Sequence, residues 1–314
     1  MGEIFSSAAI SVAIMLACAI PGFWFIKSKM LEEKHIAAFN KLLLYVAQPF
    51  LTINSFRGVH YTNELGINLL IFFALAVAVQ LAVISLMYLI FRKKYDNVLF
   101  RISNIAMVFG NVGFFGIPLV ESVLPNNPEA VMYASTFVIA MNILAWSLGS
   151  TIITLDKKHI SFKKMFLNPA VWPIIIAIPM MMTNTEYPKH VGNMIVVFAK
   201  MTTVLSMLVM GMRLATKKDI KQLFNSPMQY LTIAVKQIVY PLFAMLLTAF
   251  LPIDIVIKKT VFILCSCPVA SIVLNFSELH GQGQDRAANM MLLSTLSSLI
   301  TIPLMILVLP AVYG

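Results

Sequence analysis

Acidic residues are scarce in this sequence, and all of them fall in loops or at the ends of apolar runs. Aspartate and glutamate number 13, and charged residues of every kind make up 11% of the chain. Soluble domains carry roughly 25%. A chain this poor in charge, and 60% hydrophobic, would present apolar side chains to water over most of its surface. Lipid removes that conflict, provided the backbone satisfies itself inside helices. Without a mid-run carboxylate, a buried acid that could carry a coupling cation is missing, which disfavours cation exchange. Cys18, Cys265 and Cys267 are the only cysteines, and all lie in apolar runs. They read as buried thiols rather than a disulfide framework. No nucleotide-binding motif is present, which argues against a primary pump. An intramembrane enzyme would need an acid, base, nucleophile or metal set at depth. His35, His60, His159, His190 and His280 all sit near loops, so no enzyme, cofactor or metal site is expected. The Met180-Met181-Met182 run is read as lipid- and core-facing apolar surface.

Long apolar segments are what the sequence does have. A spanning helix needs about 20 apolar residues. Ten candidates are read, at 4–26, 38–56, 65–91, 99–120, 130–155, 166–185, 190–212, 226–250, 256–277 and 287–311. The net charge of +10 could suggest nucleic acid, but its distribution argues otherwise. Lys and Arg concentrate in alternate loops, such as Arg92-Lys93-Lys94 and Lys163-Lys164. One side collects 17 of them and the other four, with Lys200 and Lys236 left inside apolar runs. The positive-inside rule makes the richer side cytoplasmic and sends both termini outside. The expected setting is a cytoplasmic membrane.

The loop at 156–164 divides the chain into halves at 1–155 and 165–314, each with five spans. Two halves of odd span number that share a fold must sit in opposite orientations, the inverted repeat of many secondary transporters. The fourth span contains Asn111-Val-Gly113-Phe-Phe-Gly116-Ile-Pro118, and the ninth contains Pro268-Val-Ala-Ser271-Ile-Val-Leu-Asn275. Proline removes a backbone donor and crowds the preceding turn, and glycine loosens a helix. Either break alone reads equally as an ordinary membrane-helix kink. The matched pair favours a binding site, because paired interruptions mark transporter sites and half-helix N-termini attract anions.

At these residues the chain resembles the auxin efflux carrier family, which includes plant auxin exporters and bacterial malate or malonate permeases. Asn111 to Leu119 is similar to the family's Asn…Gly-Ile-Pro-Leu segment. Pro268 to Pro303 is similar to its second proline break, and further echoes run from Asn40…Pro49 through Asn168-Pro169, Gly211 and Pro241. The resemblance implies ten helices in a five-plus-five inverted repeat, with spans four and nine broken and crossing at mid-membrane. It also implies a dimerising scaffold of spans one, two, six and seven, a moving domain of the remaining spans, and elevator-like alternating access. The long hydrophilic loop of many plant members is absent, which favours the bacterial, carboxylate-type reading.

Polar groups inside spans are costly and therefore candidates for function. The expected substrate-binding set is Asn111, Gly113, Gly116, Pro118, Asn142, Pro268, Ser271 and Asn275. Asn142 lies where the family carries an amide near substrate, though a helix–helix hydrogen bond is the alternative. Lys200 and Lys236 lie deep in spans seven and eight, where they are expected to balance charge at the crossover, and Lys236 reads equally as substrate-binding. The leading reading is a secondary transporter for a small organic carboxylate. An exporter of an aromatic weak acid, which needs a larger apolar pocket, is the alternative, and a channel stands behind it. The expected partners are the substrate, the bilayer and a second copy of the chain, with no nucleic acid.

Overall fold

The computed structural model describes residues 2–156, 158, 160–217 and 220–313. Among these residues the chain is helical, and its one extended feature is a single antiparallel bridge between Gly110 and Val269. The first half runs α1 (Gly2–Ala17), α2 (Ala19–Lys27), α3 (Ile36–Leu42), α4 (Gln48–Ser55), α5 (Asn63–Phe91), α6 (Val98–Val108), α7 (Ile117–Val123), α8 (Pro128–Leu144) and α9 (Ser150–Thr154). The second runs α10 (Phe162–Phe166), α11 (Ile174–Met182), α12 (Lys189–Thr216), α13 (Pro227–Ala234), α14 (Tyr240–Ala249), α15 (Ile255–Cys265), α16 (Ser271–Leu279), α17 (Gln284–Ile306) and α18 (Leu309–Tyr313).

Several consecutive helices join into continuous rods. Among the described residues, seven such rods are long and apolar enough to cross a membrane, including Glu33–Ser55, Pro128–Thr154 and Pro227–Ala249. Their outer surfaces carry exposed Ile10, Ile14, Leu70, Leu89, Val197 and Ile300. Apolar surface this extensive marks contact with lipid rather than water. The chain is thus a polytopic, all-helical membrane protein.

The remaining apolar runs are made of shorter pieces. Those expected at 99–120 and 256–277 are each two helices, α6 with α7 and α15 with α16, separated by extended backbone. The run at 166–185 differs from expectation. Its helical part, α11, has nine residues and contains Pro179, so at 1.5 Å per residue it is about 14 Å long. Pro169 and Pro173 explain this, since each lacks the N–H that a helix entering from α10 would need.

Among the described residues, four π-helical turns interrupt the helices, at Leu43–Ala47, Val112–Gly116, Ala145–Gly149 and Val235–Val239. Three have one cause. Pro49, Pro118 and Pro241 each occupy the second position of the following helix. A proline there cannot bond the carbonyl four residues back and pushes it away. The residue before each proline bonds five residues back instead, Gln48 to Leu43, Ile117 to Val112 and Tyr240 to Val235. In the fourth, Ser147 and Ser150 compete for helix carbonyls through their hydroxyls.

Close packing of α2 on α12 holds one side of the molecule together. A Cβ on Gly22 would lie 2.0 Å from the Leu208 carbonyl oxygen, and one on Gly211 would lie 1.9 Å from that of Ala19. Small residues of this kind let two membrane helices touch backbone to backbone.

Candidate functional site

The two interrupted runs cross each other at their breaks. The N–H of Asn111 donates to Pro268 O at 2.7 Å, and the N–H of Ala270 donates to Phe109 O at 2.9 Å. This two-bond ladder supplies partners for backbone groups that neither helix could satisfy alone, as an apolar surrounding demands. Asn111 has φ −73° and ψ 58° and sits at the centre of a tight turn closed by the Val112 N–H on Gly110 O at 2.7 Å. Those angles are those of an inverse γ-turn. Gly116 is closely packed, since a Cβ there would meet the Leu264 side chain at 2.9 Å and Cys267 Sγ at 3.0 Å, and those side chains would have to shift.

Four helix ends converge on this point, and they are treated differently. The C-terminal ends of α6 and α15 carry partial negative charge. Lys236 lies between them, fully buried, and its Nζ donates to Cys265 O at 2.7 Å. The same ammonium lies 4.9 Å from the Tyr240 ring centre and would be 2.9 Å from a Cβ on Gly110. Next to it, Gln237 donates to Ser294 O at 2.8 Å and Ser294 Oγ accepts from the Val269 N–H at 3.0 Å. The second break is thus braced by α17.

The N-terminal ends face a cavity of about 530 Å³. The first N–H groups of a helix have no partner within it. In this cavity they belong to Gly113 and Phe114 on one run and to Ser271 and Ile272 on the other, and all four residues line it. The side chains of Asn111, Ser271 and Asn275 also line it. Each is partly exposed, and none forms a side-chain hydrogen bond among the described residues. The opposite wall is apolar and aromatic, with Leu44, Tyr45, Val138, Met141 and Trp146. Trp146 stacks edge-on against Phe276 at 4.8 Å.

Lys163 and Lys164 line the same cavity, and among the described residues that do they are the only charged ones. Lys164 Nζ lies 5.0 Å from the Trp146 ring centre, a cation–π contact. The cavity therefore opens toward the basic loop between α9 and α11. The opposite ends of the rods surround a separate, acidic hollow with Glu64, Glu129 and Asp254. No residue lines both.

Of the residues expected from sequence, the structure gathers Asn111, Gly113, Asn142, Ser271 and Asn275 around one cavity. Gly116, Pro118 and Pro268 shape the crossover from behind it. Asn142 is tied on both sides. Its Nδ2 donates to Val138 O at 2.8 Å, and its Oδ1 accepts from Asn168 at 3.0 Å. It fixes the wall where α10 leads toward α11, with one bond inside α8 and the other to the loop residue Asn168. Lys236 is at the crossover as expected, but Lys200 is not. The buried stripe of α12 includes Ile195, Ala199, Thr202 and Ser206, and Lys200 lies about 100° round the helix from Ala199, where it is exposed.

Among the lining residues that sequence reasoning passed over are Gln48, Lys163, Lys164 and Trp146. Gln48 is a polar side chain in an apolar run, and the depth rule applied to the asparagines would have found it. Lys163 and Lys164 read as topology signals only, because position in a loop does not reveal which cavity the loop borders. Trp146 gave no signal beyond being aromatic.

A family model described as membrane transport protein matches residues 7–162 and again 154–306. No curated protein matches the chain. The two matches together take in almost the whole sequence, one on each side of the loop near residue 160, and each includes one of the two breaks. The resemblance read from the Asn111–Leu119 and Pro268–Pro303 segments is borne out at the level of the family, and the chain belongs to the membrane transport protein family.

Proposed function

We propose that this protein is a secondary transporter that carries an organic carboxylate anion across the cytoplasmic membrane by alternating access. One observation carries the reading: two helix starts with spare N–H groups and three unpaired polar side chains face one cavity at the centre of an apolar protein. Helix starts bind anions through those N–H groups and through the helix dipole. Lys236 occupies the opposite, C-terminal pole, so the crossover keeps its donors for the ligand.

The lining suits a carboxylate carried on an apolar body. The wall of Leu44, Tyr45, Val138, Met141 and Trp146 can cover an apolar body, and Lys163 and Lys164 are the cations that would draw in its carboxylate. Of the two substrate classes weighed from sequence, the aromatic or otherwise apolar acid is therefore the better fit to this wall.

The wider arrangement we propose is ten spans in two inverted halves, 1–155 and 165–314, joined by the loop at 156–164. Spans one, two, six and seven would form a dimeric scaffold, and the others the moving unit in an elevator motion. Basic loops on the cytoplasmic side would place both termini outside and turn the cavity toward the cytoplasm. Uptake of labelled phenylacetate into proteoliposomes tests the transport reading. It should saturate and fall at least about tenfold when Asn111 and Asn275 are both changed to Ala. Non-saturable uptake unaffected by the double substitution would reject it.

A further inference from the structure

The starts of α5, α8 and α15 meet at the end of the rods remote from the basic loop, and each carries an acid. Glu64 is the second residue of α5, Glu129 the second of α8, and Asp254 immediately precedes α15. All three line one open hollow of about 300 Å³. An acid at a helix start is ordinary, because it offsets a dipole worth about half a charge. Three carboxylates against three such dipoles leave about half of the negative charge uncancelled. Asp254 accepts from the Val256 N–H at 2.6 Å, and Glu129 accepts from Asn127 at 3.2 Å. None of the three acids forms an ion pair among the described residues. Among the described residues that line the hollow, His60 is the one basic side chain.

Acidity alone would make only a solvated surface, and Tyr133 adds a polar group with nothing to bind. The residue is 1% exposed and lines the hollow from α8. Its ring stacks on Phe72 of α5 at 4.8 Å, which fixes where its hydroxyl points. A buried tyrosine hydroxyl normally finds a partner, yet this one forms no hydrogen bond among the described residues. The hydroxyls of Tyr187 and Tyr240 are also unpaired but are closed off, whereas that of Tyr133 opens into the hollow. The charges of Asp254, Glu129 and Glu64 all act on it, so it stands among the three acids.

The group that completes such a site is positive and carries N–H donors. The Tyr133 oxygen accepts from it, and the carboxylates balance its charge. A single metal ion does not match, because among the described residues no three ligating side chains converge on one point. Val59 and Leu65 also line the hollow and offer methylene groups an apolar seat. We propose that this hollow binds a soluble organic diamine or polyamine, whose ammonium groups engage Glu64, Glu129, Asp254 and the Tyr133 hydroxyl. The site shares no lining residue with the cavity at the crossover and does not depend on the transport reading. Gly58, Val59 and His60 follow α4 and form part of the same lining, so a bound diamine ties that loop to three helix starts.

The test measures binding of putrescine, spermidine, butylamine and Mg²⁺ to the full-length protein. The protein is held in phosphatidylcholine nanodiscs, whose lipid has no primary ammonium group, and is followed by calorimetry and thermal shift at constant ionic strength. Putrescine or spermidine should bind saturably, raise the unfolding temperature, and bind at least about tenfold more tightly than butylamine or Mg²⁺. Tyr133→Phe keeps the ring and should weaken diamine binding about fivefold. Glu64→Gln/Glu129→Gln should weaken it about tenfold or more. Glu186→Gln removes an acid that lines the neighbouring hollow instead and should leave binding within about twofold. No saturable diamine binding, or Mg²⁺ binding as tight as that of the diamines, would overturn the proposal. So would a loss in Glu186→Gln equal to that in Glu64→Gln/Glu129→Gln, which marks a diffuse ion atmosphere, or diamine binding that neither Tyr133→Phe nor the double substitution alters.

Discussion

The backbone of Asn111 is completed by Pro268: the N–H of one break donates to the carbonyl of the other at 2.7 Å. Two residues 157 positions apart thereby share one structural task, and neither half of the chain can satisfy its own interruption. The side chain of Asn111 is released from backbone duty by that bond and faces the cavity instead. The arrangement turns a cost of the membrane interior, unpaired peptide groups, into a means of holding an anion.

Asn111 and Asn275 should therefore separate function from folding. Neither side chain bonds another described group, so alanine at either position should change stability by no more than about 0.5 kcal/mol, as for an uncoupled site. Transport should fall about tenfold for each. Thermal unfolding alongside proteoliposome uptake checks both statements.

Lys236 should behave in the opposite way. Lys236→Met removes the donor from Cys265 O and leaves two helix ends facing each other without a cation. A loss of about 2–3 kcal/mol is expected from the orphaned carbonyl and the uncompensated dipoles. A clear fall in unfolding temperature in detergent would show it. Lys200→Met should leave that temperature nearly unchanged, because the Lys200 side chain is exposed.

Lys163 and Lys164 should act on capture. Replacing both by Gln should raise the half-saturating concentration of an anionic substrate about tenfold at low ionic strength. At about 0.5 M salt the difference should nearly vanish, since exposed charges are screened over a few ångströms. A salt series of initial uptake rates for the two proteins makes the comparison. A salt-independent defect would place the lysines in a structural role.

Gly22 and Gly211 should be intolerant of any side chain. A methyl group on either would stand about 2 Å from a backbone oxygen of the facing helix. Parting α2 and α12 to admit it should cost about 3 kcal/mol or more and reduce the yield of folded protein. Gly113→Ala is the control. The nearest atom to its added methyl is 3.5 Å away, an ordinary contact, so expression should be unaffected.

Much of this was legible in the sequence because membrane helices obey simple rules. Apolar length marked the rods, and Pro118 and Pro268 marked the two breaks. The asparagines stood out because an amide is conspicuous among Phe, Ile and Val. Other features depended on three-dimensional approach and left no local trace. The run around Pro173 reads as a span by hydropathy, yet Pro169 and Pro173 delay its helix, which has nine residues. Lys200 and Lys236 look alike as buried lysines in sequence, and only the facing of each helix sends one outward and the other to the crossover. Asn142 reads as a ligand residue in sequence, and the structure places it on the cavity wall with its oxygen bonded by Asn168. Gln48 is marked by the same rule as the asparagines, being an amide within an apolar run.

The most direct measurement is a cryo-electron microscopy structure of the protein in lipid nanodiscs with phenylacetate bound. The carboxylate should lie about 3 Å, hydrogen-bond reach, from an N–H of Gly113 or Ser271 and from the amide of Asn111 or Asn275. A ligand seated elsewhere, with the crossing point filled by side chains, would contradict the anion-holding role of the paired breaks.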